Sequence, residues 1–205
     1  MSTKASTERA RGRPRCEKSQ ARILATTVEL LETSGWSSLT IEAIAARAKV
    51  SKQTIYKWWS GRSELVVDAY LSTIQPHTIR PDTGDTKEDL RLYLERASQI
   101  LTTTHAGRTL AFILAEAQDD EGLAEQFRRR FLSIRRDALR VTLQRGIARG
   151  ELRANLDVEL VMDLFFGVFW FRLLGRTAPL DTLFVEDLIA LIWPSITATS
   201  PSRRN

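Results

Sequence analysis

A chain of 205 residues with 43% hydrophobic and 27% charged residues is long enough to bury a sizeable core and has the composition of a globular protein. Its net charge of +5 is one-sided: residues 1–75 carry 12 Lys/Arg against 7 Asp/Glu, while residues 76–205 carry 18 of each. A basic third on a neutral remainder points to a polyanion, either nucleic acid or an anionic membrane surface, and the single cysteine, Cys16, excludes a disulfide framework and a cysteine-cluster metal site.

In chain order, residues 1–18 lack apolar periodicity and contain Arg11-Gly12-Arg13-Pro14-Arg15, which predicts a disordered basic arm. A first helix follows, with Leu24, Val28 and Leu31 at helical spacing and Gly35 as its stop. Thr40 reads as the N-cap of a short helix carrying Ile41, Ile44, Ala45 and Ala48 on one face. Ser51 caps another that is expected to reach about Trp58, and Ser63 with Glu64 opens a fourth. The stretch Gln75–Thr86, with two prolines and one glycine, reads as a domain boundary.

Beyond it the period is helical throughout. Leu90, Leu94, Ala97 and Leu101 form one stripe, and Leu110, Ile113, Leu114 and Ala117 a second. One long helix from Leu123 to Arg149 is expected to turn Phe127, Phe131, Ile134, Ala138 and Val141 inward and a row of arginines outward. Asp157–Arg176 is apolar nearly all round, which predicts burial on more than one side. A last helix is expected from Thr182 to Trp193, ending before Pro194. The segments are therefore a basic arm (1–18), a helical head (19–75), a helical body (76–196) and a flexible tail (197–205). No apolar signal core precedes Gln20, and Leu160–Leu174 is too short and too charged, with Asp163 and Arg172, to span a bilayer; the expected compartment is the cytoplasm.

Residues 40–59 carry the most specific pattern. Two short helices can cross steeply, and expose the second to a DNA major groove, only if small residues line the crossing and apolar anchors hold the second helix. Ala43, Ala45 and Ala46 are the small residues; Val50, Ile55 and Trp59 are the anchors. The face left outward is Ser51, Lys52, Gln53 and Thr54, then Tyr56, Lys57 and Trp58. Lys and Gln hydrogen-bond base edges, Thr offers a methyl to thymine, and Tyr and Lys hold phosphate. Pattern alone leaves open a helical hairpin with a polar rim.

The run LTIEAIAARAKVSKQTIYKWW over residues 39–59, framed by Gly35 before it and Arg62 and Leu65 after it, resembles the DNA-binding head of TetR/AcrR-family regulators. The resemblance covers about Ala21 to Tyr70; the remainder resembles the family in helix number and length. It implies an all-α fold, a three-helix helix-turn-helix domain followed by a helical ligand-binding and dimerisation domain. It implies phosphate contacts from Thr40, Tyr56 and Arg62, and base contacts from Lys52, Gln53 and Thr54. The chain departs from the family pattern in having Lys49 and Gln53 where many members have Gly, and Trp58-Trp59 where many have His-Phe. Trp59 fits the Phe slot; Trp58 either donates its indole N–H to a phosphate or packs against Lys57. Beside such a head, Arg11, Arg13 and Arg15 resemble the core of an AT-hook entering the minor groove, the alternative being a solvated tail.

The resemblance also implies a homodimer on a palindromic operator, with the last two helices forming a four-helix seam, and a small-molecule effector in the body whose binding releases a repressor. No cofactor or metal is expected. Pocket candidates are Phe112, Glu116, Phe165 and Phe169, with His105 and Arg172 as polar contacts; the aromatics could equally be plain core, Glu116 an ion-pair partner of Arg172, and His105 a helix-end residue. The fourth helix is expected to transmit the effector's influence. An enzyme is disfavoured: only His77 and His105 occur, and no nucleophile elbow, phosphate loop or dinucleotide fingerprint is present. A membrane-surface protein is disfavoured because the basic residues of 47–62 do not line one face of a long helix. An activator or a ligand-free nucleoid-type binder stays open.

Overall fold

The computed structural model describes residues 13–75 and 79–198, with side chains from Glu17 onward. Among them the regular elements are helices, in two compact units divided between Ser72 and Thr73.

The first unit contains α1 (Arg13–Ser34), α2 (Ile41–Ala48), α3 (Lys52–Tyr56) and most of α4 (Arg62–Ile74). Helix α1 begins earlier than expected, so residues 13–18 belong to a helix rather than to the arm. Proline is tolerated in a first helical turn, where its missing N–H has no intrahelical partner anyway; Pro14 therefore does not stop the helix. The buried stripe of α1 is Ile23, Thr27 and Leu31, whereas Leu24 and Val28 are half-buried. Thr27 is admitted because its hydroxyl donates to the Ile23 carbonyl at 2.8 Å. Gly35, at φ 71°, closes α1 with its N–H on the Leu31 carbonyl at 3.1 Å.

The second unit comprises α5 (Thr86–Thr103), α6 (Ala106–Glu116), α7 (Glu121–Phe127), α8 (Ser133–Ala148), α9 (Val158–Gly175) and α10 (Thr182–Ile196). Four of these open on an aspartate, Asp85, Asp120, Asp157 and Asp181, whose carboxylate accepts a first-turn N–H at 2.8–3.1 Å. Carboxylates there also meet the positive end of the helix dipole. Helix α5 is central, packing against α6, α8 and α10. Leu90, Tyr93 and Leu94 of α5, Leu139 and Leu143 of α8, Phe165 and Phe169 of α9, and Phe184 and Ile189 of α10 share one core. Each large side chain so buried contributes about 1.5–3 kcal/mol.

Three expectations for this unit are corrected. The helix read as continuous from Leu123 to Arg149 contains a π-turn at Arg128–Leu132. A π-turn adds one residue to a turn and rotates everything after it by about one position. Phe127, Phe131 and Ala138 are buried as expected, but beyond the turn the buried side also takes in Leu139, Thr142 and Gly146. Ile134 and Val141, expected inside, are 49% and 47% exposed. Helix α10 runs through Pro194 to Ile196, since a proline in the last turn removes one N–H and Thr197 N–H still reaches the Trp193 carbonyl at 3.1 Å. Thr197 and Ala198, assigned to the tail, are tied to the α8–α9 loop through a Leu152–Thr197 bridge and an Ala198 N–H bond to the Glu151 carbonyl at 3.0 Å.

Helices α9 and α10 leave an apolar stripe outside. Leu160, Leu164, Phe171 and Leu174 on α9, and Leu183 and Leu191 on α10, are all exposed, Phe171 by 66% and Leu191 by 78%. Gly167 lies within that stripe, and a Cβ built there meets nothing within 4 Å.

Candidate nucleic-acid interface

The turn between α2 and α3 is built by three residues. Ala48 is fully buried where the helices approach. Lys49 takes the left-handed conformation, φ 53° and ψ 50°. Val50 then returns its N–H to the Ala45 carbonyl at 3.0 Å. The Thr40 hydroxyl caps α2 by accepting from Ala43 N–H at 3.1 Å, and the Ser51 hydroxyl caps α3 by accepting from Thr54 N–H at 3.2 Å. An accepting hydroxyl keeps its own proton to donate. Thr40, exposed at the start of α2, is thus able to donate to a phosphate. The Thr54 hydroxyl lies 2.9 Å from that of Ser51, so its methyl is the group left uncommitted.

Beneath α3, Ile55 and Trp59 are buried with Ile44 and Leu65. Above it, Lys52, Gln53, Tyr56 and Lys57 are exposed, Tyr56 by 54%. The helix ends at Tyr56 rather than near Trp58, because Trp58 N–H bonds the Ile55 carbonyl three residues back and the chain tightens. Trp59 turns inward, and its indole N–H donates to Asp68 of α4 at 2.7 Å. That bond explains how a Trp occupies the Phe slot without burying an unsatisfied N–H. Trp58, half-buried, lies edge-on to Trp59 with ring centroids 5.7 Å apart.

Arg62 has contacts that sequence does not disclose. Its guanidinium stacks 4.2 Å from the Trp36 ring centre and donates to the Leu39 carbonyl at 3.3 Å. It thereby braces the turn that presents Thr40. Two ion pairs link the three helices: Arg47 with Glu29, and Lys52 with Glu42 at 3.1 Å. A backbone amide and the Lys52 ammonium together hold the Glu42 carboxyl below its ordinary pKa. Contacts across a loop have no periodic signature, which is why Trp36, Asp68 and Glu42 are not found by pattern. Arg11 lies outside the described residues, as do the side chains of Arg13 and Arg15.

In the body, Phe165 and Phe169 are buried in one core, Phe169 against Phe184 with centroids 5.1 Å apart. Phe112 and Glu116 are half-buried on α6 and are not part of that cluster of buried residues. Arg172 does not take Glu116 as its partner: it donates to the Pro179 carbonyl at 2.7 Å and stacks 4.0 Å from the Phe184 ring centre. His105 immediately precedes α6. Among the described residues no group of His, Cys, Asp and Glu could hold a metal, and no helix is long and apolar enough to cross a membrane.

A small-residue helix crossing, a left-handed turn and an outward polar face define a helix-turn-helix DNA-binding protein. Residues 23–69 match the model for bacterial regulatory proteins of the tetR family, and residues 80–192 match that for the tetracyclin repressor-like C-terminal domain. The HTH-type transcriptional regulator YdeS of Bacillus subtilis is 38% identical over 93% of this chain and 96% of its own. A DNA-binding transcriptional repressor, TetR, of Mycobacteroides abscessus is 29% identical over 85% of this chain and 92% of its own. Among solved structures, the TetR-family regulator SCO0332 has a TM-score of 0.72 at 32% identity, covering 90% of this chain and all of that one. The chain belongs to the TetR family. It is a DNA-binding transcriptional regulator, like the relatives it matches, and not an enzyme.

Proposed function

We propose that the chain acts as a homodimeric repressor on a palindromic operator and leaves it when a small molecule binds the body. The observation that carries this reading is the outward apolar stripe of α9 and α10. Large contiguous apolar patches are rare on monomers and mark association surfaces, and a two-fold axis through such a stripe pairs two recognition helices for two half-sites. Thr40, Tyr56, Lys57, Trp58 and Arg62 serve as phosphate contacts, Lys52, Gln53 and Thr54 read bases, and Ser51 holds these groups in place, Arg62 also bracing the turn before Thr40 through Trp36 and the Leu39 carbonyl. Arg11 is the candidate for the adjacent minor groove, with Arg13 and Arg15 following it in the first turn of α1. An effector releases the operator by binding one disposition of the two heads better than another, and Phe112, Glu116, Phe165 and Phe169 remain the candidates to meet it.

Selection of bound DNA from a random pool, with sedimentation of the free protein, tests the central claim. The expected result is a palindrome and a dimer. A Leu164→Asp, Phe171→Asp double variant is expected to sediment as a monomer and to lose the palindrome while staying folded by circular dichroism. A non-repeating site bound by one copy overturns the reading.

A further inference from the structure

An acid on a DNA-facing surface calls for an explanation, because a carboxylate near phosphates is repelled. Glu42 is such an acid: it stands in the first turn of α2, two residues from the Thr40 cap, and is well exposed. Its Oε1 lies 3.1 Å from the Nζ of Lys52, the first residue of the recognition helix and itself more than half exposed. An exposed ion pair of this kind adds little to stability, so structural support does not account for it.

The pair presents a donor and an acceptor side by side, about one hydrogen-bond length apart. A C·G base pair presents the complementary set in the major groove: guanine O6, an acceptor, beside the cytosine N4 amino group, a donor. Those two atoms are hydrogen-bonded to each other, at about 3 Å. We propose that Glu42 and Lys52 read one C·G pair together, Lys52 donating to guanine and Glu42 accepting from cytosine N4. Reversing the pair sets the carboxylate against O6, two acceptors facing, and the ammonium against an amino group. An A·T pair also sets an amino group beside a carbonyl oxygen. However, the thymine carbonyl is flanked by a methyl, where guanine offers N7 as a second acceptor for Lys52. Glu42, an exposed carboxyl whose pKa its hydrogen bonds only lower further, is acceptor-only at neutral pH. The inference rests on the DNA-reading role of α3 and adds Glu42, a residue of α2, to the specificity determinants.

The test is selection from a random duplex pool by the full chain, Glu42→Leu and Lys52→Met, followed by affinities for the selected site, the site with one pair reversed, and the site with that pair changed to A·T. The wild-type chain is expected to fix C·G at one position per half-site and to reject the reversed pair by about fivefold to a hundredfold. Both variants are expected to lose that preference at the same position and to keep the others. Relaxation at different positions in the two variants overturns the proposal. So does a Glu42→Leu variant that tightens binding to all sequences alike with the preference intact, which would make Glu42 a repelling bystander. Failure of the wild-type chain to enrich any sequence would overturn the DNA-reading role, and this assignment with it.

Discussion

Around α3 the side chains left outside are Lys52, Gln53, Tyr56 and Lys57, each ending in a hydrogen-bonding group; along α9 and α10 they include Leu164, Phe171, Leu183 and Leu191. The first surface suits a polar, charged ligand whose contacts are directional, and the second suits an apolar partner recognised by shape and area. The interiors differ as well. The first unit uses small residues such as Ala45 and Ala48 at its helix crossing, while the second fills one core with Phe165, Phe169 and Phe184. A surface that must enter a groove constrains residue by residue; a packed interior tolerates many solutions of equal volume.

The largest expected effect breaks the second unit alone. A Cβ at Gly107, in the first turn of α6, would overlap the carbonyl oxygen of Leu101, which is backbone and cannot swing aside. Gly107→Ala is expected to destabilise the chain by about 3 kcal/mol or more, read from urea unfolding. A loss under 1 kcal/mol would show that the α5–α6 corner yields.

Next in size is Trp59→Phe in the first unit. It removes the N–H that bonds Asp68 and shortens a fully buried ring, for an expected cost of about 1–2 kcal/mol. Operator affinity should fall with it, because Trp59 anchors α3 from below. Unchanged stability would mean that a Phe serves equally well here.

A third effect separates the units by pH. Glu151 accepts from Arg149 at 2.6 Å and from Thr86 N–H at 2.8 Å, tying the loop after α8 to the start of α5. The Arg149 hydrogen bond is the main reason its pKa falls from the ordinary 4.5 to about 2. A carboxyl depressed in the folded state stabilises above its unfolded pKa, and that contribution is lost as pH falls from about 4.5 towards 2. Glu151→Gln is expected to cost about 1 kcal/mol at pH 7, allowing for solvent screening, and much less near pH 2. Urea titrations at both pH values check it; an equal cost at both would refute the linkage.

The order of helices, the caps at Thr40 and Ser51 and the stop at Gly35 are legible in the sequence because each depends on a residue and its near neighbours. Contacts made across loops are not. Nothing within one turn of Arg62 indicates that it stacks on Trp36, or that Asp68 receives Trp59. Ile134 and Val141 were legible only on a regular period, and the π-turn at Arg128–Leu132 breaks that period without a proline or glycine to announce it. The body's candidate pocket residues scatter, two in the core and two on α6 outside it, because apolar periodicity marks burial and not what is buried beside what.

The smallest expected effect sharpens the comparison at the turn the first unit depends on. Lys49 holds φ 53°, a left-handed conformation that costs a side chain with a Cβ roughly 1–2 kcal/mol and glycine almost nothing. Against that gain, glycine loses more backbone entropy on folding, an offset of about 0.5–1 kcal/mol. Lys49→Gly is therefore expected to stabilise the chain slightly, by about 0.5 kcal/mol, with no change in the bases selected, since residue 49 lies in the turn and not on the α3 face. A loss of affinity whose salt dependence is shallower by about 0.9 in log–log slope would instead show that Lys49 holds a phosphate. In that case the strain at the turn is retained for binding, and the phosphate-contacting surface extends from α3 into the turn before it.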